Sequence, residues 1–357
     1  MSRGMDSVLP TPRPELQHLE LTPHGGDAAP GCVDFSTGVS PLPPPEGVLE
    51  AFRAADVRRY PHPTALPLRD PLAGLHGMPL DGVVVGNGSV ELIWALARAF
   101  AGPGRSAVVL APAFGEYAQA VRASGASVEV LAAQGPPFEW SLEVLLATLR
   151  RQRPSLLFVC RPSNPCLAVL PMEAVRAAAA ASPETLVVVD EAYLPLFEGV
   201  QPVHPGGNVV VLRSLTKVFA LPGLRLGYLL GEPQLLRAVQ ASLPPWNVSA
   251  PALAAGRVAL ECLGQVDAVR AEVARLRAAQ ESALVEAGAR VDATGGTFLL
   301  CRVSSARTFA AAAVHAGIRV RDCTSLGLPH HIRVGVRPEA DHPLLRAAWR
   351  RVRETLE

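Results

Sequence analysis

The segment Val83-Val-Val-Gly-Asn-Gly-Ser-Val-Glu91 joins an apolar run, a turn with two glycines and the start of a helical stretch. The run Val83–Val85 favours a β-strand, and the residues from Val90 to Phe100 favour a helix. A strand that ends in a glycine turn and opens a helix presents free backbone N–H groups, which suit an anion. This unit therefore points to an α/β sheet that binds a ligand at its strand ends.

The same alternation continues along the chain. Helical stretches such as Met172–Ala181 separate further apolar runs of β type, which are Ala107–Leu110, Ser155–Cys160, Leu186–Val189, Val209–Leu212 and Leu226–Leu230. Continuous apolar runs, unlike alternating ones, indicate strands that are buried on both faces. The pattern predicts the fold class α/β, with a mostly parallel central sheet between layers of helices.

Three regions follow from the composition along the chain. Residues 1–48 are rich in proline and glycine and predict an extended N-terminal arm that joins the small domain. Residues 49–244 contain the alternating pattern and predict a large, ligand-binding domain. Residues 245–357 predict a smaller α+β domain. It opens with a long helical segment from about Ala250 to Ala287 and continues with strands near 297–303 and 331–336 and helices near 306–316 and 343–356.

The overall composition excludes several classes of protein. The 33 Lys and Arg residues nearly balance the 32 Asp and Glu residues, and they are scattered, which argues against a nucleic-acid partner. The sequence has no apolar stretch long enough to span a membrane and no signal-peptide core, so we expect a cytoplasmic protein without a membrane partner. The six cysteines lack metal-binding spacing, so we expect reduced thiols and no metal ion.

Only one of the 33 basic residues is a lysine, Lys217, in the segment Ser214-Leu-Thr-Lys-Val-Phe-Ala-Leu-Pro-Gly-Leu-Arg225. A primary amine forms an imine with a carbonyl cofactor, which a guanidinium group does not. Lys217 is therefore a candidate catalytic residue. For Lys217 considered alone, the alternative explanations are that one lysine has survived by chance or that it has a packing role.

Further polar and aromatic residues follow the predicted strands, where open α/β sheets bind their ligands. Asp190 ends the run Leu186–Val189, and a carboxylate at this position keeps a pyridine nitrogen protonated. Asn164 and Tyr193 provide hydrogen bonds for a ring oxygen, and Phe114 provides a ring to stack on. Each of these residues also has a structural explanation, as a helix cap or a core residue.

A phosphate group suits the turn at Gly86–Glu91, to which Ser214 and Arg225 can add charge-assisted contacts. A glycine turn between a strand and a helix is by itself weak evidence for a phosphate-binding site. The order of all these residues at successive strand ends is much stronger evidence. Together they predict a site for pyridoxal 5'-phosphate.

With these residues the sequence resembles the fold-type-I pyridoxal phosphate enzymes of the aminotransferase class I/II group, from about His24 to Leu356. Within that group it is most similar to the threonine-phosphate decarboxylases of cobalamin biosynthesis, and the histidinol-phosphate aminotransferases are close relatives. The segments that carry the resemblance are His24-Gly-Gly26, Asp34-Phe-Ser-Thr-Gly-Val-Ser-Pro41, Arg59-Tyr-Pro61, Leu212-Arg-Ser-Leu-Thr-Lys217 and Pro245-Trp-Asn-Val248. The first and the last of them favour the decarboxylases.

The resemblance implies a role for each residue of the site. Lys217 forms the imine with the cofactor in the large domain, and Asp190 and Tyr193 complete the catalytic set. The cofactor-binding residues are Gly88, Ser89, Phe114, Asn164, Asp190, Tyr193, Ser214, Lys217 and Arg225, with Tyr60 supplied by the other subunit of a homodimer. Arg333 binds the substrate carboxylate, and Arg321 and His24 bind the substrate phosphate.

The resemblance also implies the reaction. We expect decarboxylation of the amino acid phosphate L-threonine O-3-phosphate to (R)-1-aminopropan-2-yl phosphate, and the alternative is transamination of histidinol phosphate or another amino acid. The bond at Cα that stands perpendicular to the cofactor ring is the one that breaks, so substrate orientation selects the reaction. A cofactor-sensing regulator is disfavoured because the arm is too short for a helix-turn-helix domain. Four residues, Val90, Cys166, Leu167 and Ser40, depart from the usual family pattern.

Overall fold

The computed structural model describes residues 11–17, 19–28 and 30–356. Residues 1–10, 18 and 29 of the predicted arm lie outside the described part. The N-terminal region contains helix α1 (Pro14–Gln17), strand β1 (Val33–Asp34), helix α2 (Val48–Ala54) and helix α3 (Leu66–His76). Apart from β1, the described residues between α1 and α2 form no helix or strand, in agreement with a mainly extended segment.

Seven strands and four helices alternate over the next 150 residues or so. In chain order they are β2 (Val83–Asn87), α4 (Gly88–Phe100), β3 (Ser106–Ala111), α5 (Glu116–Ala123), β4 (Ser127–Ala132), α6 (Leu142–Gln152), β5 (Leu156–Cys160), α7 (Met172–Ala181), β6 (Leu186–Asp190), β7 (Val209–Ser214) and β8 (Leu226–Leu230). Every strand predicted for this region is present. Strand β4 was not predicted because it lies at a sheet edge, where exposed and half-buried residues replace a continuous apolar run.

The seven strands form one sheet in the order β2-β8-β7-β6-β5-β3-β4. All neighbouring strands are parallel except β8, which runs antiparallel to both β2 and β7. The prediction of a mostly parallel central sheet is therefore confirmed. The topology places the carboxyl ends of six strands at one edge of the sheet and the start of β8 at the same edge.

Helices cover both faces of this sheet. One face carries a core cluster that includes Val83, Val85 and Val108, whereas the other carries a cluster that includes Val84 and Phe158. Successive strand residues thus contribute to opposite cores, which explains why the strands are apolar throughout.

The C-terminal region is built around a smaller, antiparallel sheet. Two helices precede it, α8 (Pro233–Ala241) and α9 (Ala250–Glu261), and their buried side chains include members of the two cores of the central sheet. The elements around the small sheet are α10 (Val266–Glu286), β9 (Arg290–Gly295), β10 (Phe298–Arg302), α11 (Ala306–His315), β11 (Ile318–Arg319), β12 (Arg321–Asp322), β13 (His331–Gly335) and α12 (His342–Leu356). The sheet order is β12-β13-β10-β9, and a separate core cluster around Trp349 joins it to the helices. None of the helices in the described ranges is both long and apolar enough to cross a membrane.

The structure differs from the sequence prediction in the long helical segment from about Ala250 to Ala287. The segment 250–287 forms two helices, α9 and α10, separated by a 3-10 turn at Leu263–Gln265. Gly264 in this turn lowers the local helix propensity, which is consistent with a break at that position. The domain boundaries at 48 and 244 stay a prediction. Parallel pairing of β1 with β11 is in line with an arm that joins the small domain.

Candidate active site

A cavity of about 440 Å³ lies at the carboxyl edge of the central sheet. Its wall includes every site residue predicted above except Tyr60, namely His24, Gly88, Ser89, Phe114, Asn164, Asp190, Tyr193, Ser214, Lys217, Arg225, Arg321 and Arg333. The structure therefore brings together residues of the arm, the large sheet and the small sheet. The following contacts describe what each group can do.

Lys217 lies three residues after the end of β7 and is half-buried. Its Nζ lies 5.6 Å from the centroid of the Tyr193 ring, which is close enough for a cation–π contact. The Lys217 carbonyl accepts a hydrogen bond of 2.8 Å from the backbone N–H of Ser40. The arm is thus attached directly to the backbone of the lysine.

Asp190 ends β6 at the base of the cavity and is buried. Its Oδ2 accepts a hydrogen bond of 2.7 Å from the hydroxyl of Tyr117, and its Oδ1 accepts one of 2.9 Å from the backbone N–H of Ala192. Burial raises the pKa of the Asp190 carboxyl above its usual range, although these two hydrogen bonds and the charge of Lys217 oppose the increase. A cationic partner in the cavity would stabilise the ionised carboxylate.

The turn between β2 and α4 is shaped for close backbone contacts. Gly88 has a φ of 80°, and a Cβ built on it would lie 2.5 Å from Nη2 of Arg225. A Cβ on Gly227 would lie 2.5 Å from the backbone nitrogen of Ser89. Both positions need glycine, because any side chain would separate β8 and Arg225 from the turn. Nearby, the hydroxyls of Ser214 and Thr216 are 2.9 Å apart.

Arg333 in β13 crosses from the small sheet to the loop after β5. It donates one hydrogen bond from Nη1 to Oδ1 of Asn164 and a second, 2.6 Å long, from Nη2 to the carbonyl of Ser36. Its guanidinium carbon lies 5.0 Å from the centroid of the Phe298 ring. The buried Nε has no hydrogen-bond partner among the described residues. One donor of this guanidinium group thus has no partner within the described part of the protein.

Arg321 pairs directly with Arg333 across strands β12 and β13. Its Nη2 donates to the carbonyl of Pro23 at 2.6 Å and to the hydroxyl of Ser325 at 3.1 Å. Burial and the charge of Arg333 lower the pKa of Arg321. Within the described part of the chain neither arginine forms an ion pair with a carboxylate, although both are buried. Two adjacent buried cations favour an anionic ligand.

His24 lies at the cavity mouth, and the arm holds it against helix α5. Its Nε2 is 3.1 Å from Oε1 of Glu116, whose Oε2 accepts a hydrogen bond of 2.8 Å from the indole N–H of Trp94. The His24 ring also contacts Phe114, with 5.9 Å between the ring centroids. About half of the His24 side chain is exposed, so it remains accessible from the cavity.

Tyr60 is the one predicted site residue that the chain does not place in its own cavity. Its side chain is 83% exposed and packs against Trp246 in a tilted arrangement, with 5.0 Å between the ring centroids. A contribution of Tyr60 to the cavity of a second subunit stays a prediction.

Several residues in the cavity wall or next to it were not predicted from the sequence. Tyr117 and Thr216 line the cavity, and Glu91 accepts hydrogen bonds of 2.6 Å from the Asn87 backbone and 2.7 Å from the Asn247 side chain. Tyr117 lies three residues after Phe114, and Thr216 lies immediately before Lys217. Their closeness in sequence to predicted site residues is the feature from which they could have been predicted. Cys160 also lines the cavity, but burial raises the pKa of its thiol to about 12, which keeps it protonated.

Comparison with protein families places the chain in a defined class. The family of class I and II aminotransferases matches residues 30–352. The chain belongs to this family, and its architecture is that of the fold-type-I pyridoxal phosphate enzymes. The predicted cofactor of the family, pyridoxal 5'-phosphate, and the predicted fold class are confirmed.

Curated relatives and solved structures refine this assignment. A histidinol-phosphate aminotransferase of Symbiobacterium thermophilum is 34% identical over 314 residues, which cover 85% of this chain and 86% of the relative. The crystal structure of histidinol-phosphate aminotransferase from Sinorhizobium meliloti with pyridoxal-5'-phosphate has a TM-score of 0.85 at 24% identity, covering 98% of this chain and 100% of that one. At this identity the second similarity shows the fold alone.

These findings overturn the expected decarboxylase reaction. Further relatives between 29% and 33% identical are also named histidinol-phosphate aminotransferase. A threonine-phosphate decarboxylase of Porphyromonas gingivalis shares the fold, with a TM-score of 0.78, 24% identity and coverage of 90% of this chain and 99% of that one. The expectation was wrong because it rested on two short motifs, His24-Gly-Gly26 and Pro245-Trp-Asn-Val248, whereas the similarity to histidinol-phosphate aminotransferases extends over most of the chain.

Proposed function

We propose that the protein is an aminotransferase that moves the amino group of histidinol phosphate to a 2-oxo acid. One observation carries the proposal: the cavity joins Lys217 to two buried arginines, Arg321 and Arg333, that have no carboxylate partner among the described residues. Such a cavity suits an amine that carries a phosphate group and an oxo acid that carries carboxylates. The names of the curated relatives support the same choice.

The cavity residues fit pyridoxal phosphate. Asp190 is a buried carboxylate that lacks an arginine partner within the described ranges, and it suits the protonated ring nitrogen. Gly88, with its φ of 80°, lets the Arg225 guanidinium approach the N-terminus of α4 closely, and a helix N-terminus beside a cation suits a phosphate. Gly88, Ser89, Ser214 and Arg225 would hold the phosphate. Asn164 and Tyr193 would bind the ring oxygen, and Phe114 would cover the ring face.

When bound, pyridoxal phosphate supplies an aldehyde and a conjugated ring that accepts the electron pair released at the substrate Cα. The chain provides the remaining functions. Lys217 would hold the cofactor through its amine and, with that amine free, would take the proton from the substrate Cα. Asp190 keeps the ring nitrogen protonated. Arg333 orients the carboxylate of the oxo acid, and Arg321 with His24 binds the phosphate of histidinol phosphate.

The proposal includes a homodimer with shared active sites. Tyr60 lies outside the cavity of its own chain, and its exposed ring is surrounded along the sequence by the exposed apolar residues Leu49, Phe52 and Val57. Exposed apolar side chains in this number favour a protein interface. In the proposed dimer, Tyr60 of the partner subunit contacts the cofactor phosphate.

The test is an amino-transfer assay on the purified holoenzyme. Histidinol phosphate and 2-oxoglutarate should yield glutamate, while histidinol, the matched amine without phosphate, should react with kcat/KM lower by about 10- to 100-fold, because a charge-assisted contact contributes about 1.5–3 kcal/mol. Absence of glutamate with histidinol phosphate, or equal rates for the two amines, would contradict the proposal. Threonine phosphate serves as a further control and should release no carbon dioxide.

A further inference from the structure

A buried ion cluster lies behind the residues that face the cavity. Cys160, Asp190 and Ser214 line the cavity at the ends of β5, β6 and β7. Their immediate neighbours along the chain are Arg161, Glu191 and Arg213. Successive strand residues point to opposite faces, so these three charged side chains project away from the cavity. We call Arg161, Glu191 and Arg213 the rear ion cluster.

Glu191 is the centre of the rear ion cluster and is fully buried. Its Oε1 lies 3.5 Å from Nη1 of Arg161 and accepts a hydrogen bond of 2.7 Å from the backbone N–H of Val203. Its Oε2 accepts hydrogen bonds of 3.0 Å and 3.2 Å from Nη2 and Nε of Arg213. Both carboxylate oxygens are therefore occupied, and one side chain connects three neighbouring strands.

The backbone repeats the same connection. The N–H of Arg161 donates to the carbonyl of Asp190, and the N–H of Glu191 donates to the carbonyl of Leu212, each at 2.8 Å. The hydrogen-bond ladder thus continues one residue beyond β5 and β6. The strand ends are joined both within the sheet and behind it.

Arg161 extends the connection to the loop that carries Asn164. Its Nε donates to the carbonyl of Leu170 at 2.8 Å, and its Nη1 donates to the carbonyl of Gln201 at 2.7 Å. The Leu170 contact spans the loop from behind, because Asn164 lies between its two ends. Arg161 thereby limits the movement of the loop on the cavity side.

Stability alone is a weak reason for this arrangement. A buried arrangement of two arginines and one glutamate carries a net positive charge and loses the hydration of three ions. Apolar residues of similar volume would generally fold as well or better. What an ion cluster supplies beyond apolar packing is a defined geometry, because its hydrogen bonds have preferred directions and distances.

We propose that Glu191 is a positioning residue: through its two arginine partners it holds the ends of β5, β6 and β7 in the spacing that the cofactor requires. The inference rests on the proposed cofactor roles of Asn164, Asp190 and Ser214. It does not depend on histidinol phosphate as the substrate. Glu191 itself contacts neither cofactor nor substrate.

The experiment compares cofactor binding in Glu191→Gln, Arg161→Met and the control Arg69→Met. Arg69 is also buried and binds backbone carbonyls, but it contacts Val83 at the opposite end of β2. The readouts are the dissociation constant of pyridoxal phosphate and the visible circular dichroism band of the bound cofactor, neither of which needs a substrate. Thermal melting of each variant reports stability separately.

Glu191→Gln and Arg161→Met should raise the dissociation constant by about tenfold or more and reduce the circular dichroism band, because displaced strand ends weaken the hydrogen bonds of Asn164, Asp190 and Ser214 to the cofactor, and loss of one charge-assisted hydrogen bond costs about tenfold or more in affinity. Arg69→Met should lower the melting temperature and leave both cofactor readouts unchanged. Wild-type cofactor readouts in Glu191→Gln or, if that variant does not fold, in Arg161→Met would overturn the proposal. Equal changes in Arg69→Met would overturn it as well.

Discussion

Lys217 is the only side-chain primary amine of the chain, and it lies in the cavity beside Tyr193 and close to Asp190. The chemistry assigned to it requires an amine, so an arginine at this position keeps the charge and loses the function. Its identity was evident from the sequence, because one lysine among many arginines needs no structural comparison to be noticed. Tyr117, the hydrogen-bond partner of Asp190, was not evident, because a tyrosine inside an amphipathic helix is normally a core residue.

Lys217 should be the single point of cofactor attachment. Borohydride reduction of the holoenzyme should label one peptide, the one with Lys217, since no other side chain has a primary amine. Lys217→Arg should keep its melting temperature and lose on the order of 10³-fold or more in kcat. Peptide mapping by mass spectrometry tests the first expectation. A label on another peptide, or turnover by the arginine variant, would refute the role.

Arg321 should contribute to substrate binding and not to stability. Arg321→Met removes a buried cation without a carboxylate partner in the described residues, so the free protein should melt at the same or a higher temperature. At the same time kcat/KM for histidinol phosphate should fall by about 10- to 100-fold. Arg302→Met, on an exposed position of β10, is the matched control and should change neither value. A lower melting temperature with normal kinetics would show instead that Arg321 stabilises the fold and does not bind the substrate.

At the scale of elements, helix α3 meets strand β8 through a half-buried histidine, His76. Nε2 of His76 lies 3.1 Å from the hydroxyl of Tyr228, and Nδ1 lies 3.5 Å from Nη1 of Arg213. Because arginine only donates, Nδ1 accepts and the neutral ring carries its proton on Nε2. Burial, followed by the charge of Arg213, lowers the pKa of His76 to about 4. The contact between α3 and β8 thus depends on a neutral imidazole.

His76 should make the protein less stable in acid. In the unfolded chain a histidine binds its proton near pH 6.5, whereas folded His76 stays neutral down to a pH of about 4. Between these two values the unfolded state binds more protons, so stability should fall as the pH falls from 6.5 to 4. Melting temperatures of wild type and His76→Gln across this range test the effect, and the variant should show the flatter profile. His62→Gln, at an exposed position, should follow the wild type; identical slopes for all three proteins would exclude the effect.

At the scale of the whole molecule, the cavity is assembled from three distant parts of the chain. The arm provides His24, the central sheet provides Lys217, and the small sheet provides Arg321 and Arg333. The fold therefore couples the arm and both sheets to one site. A homodimer would add a fourth contribution, because Tyr60 points away from the cavity of its own chain.

Two inactive variants should restore activity when they form a mixed dimer. Tyr60→Ala and Lys217→Arg each disable every site of their own homodimer, if Tyr60 of the partner subunit completes the site. In a mixed dimer one site has both native residues, so random co-expression should recover about one quarter of the native sites. Glutamate formation by the co-expressed pair, relative to each variant alone, measures this recovery. A dimer without recovered activity, or a monomer by sedimentation, would reject the shared site.

The sequence by itself determined the α/β class, most strands of the large sheet and the residues at their ends. These features depend on local patterns, since apolar runs, glycine turns and strand-end side chains are read from neighbouring residues. Only the tertiary structure decided which distant residues meet: Arg333 contacts Asn164 from 169 residues away, and Glu191 joins two arginines from other strands. Such contacts depend on strand order and register, which are set by packing over the whole chain and not by the residues adjacent to each partner.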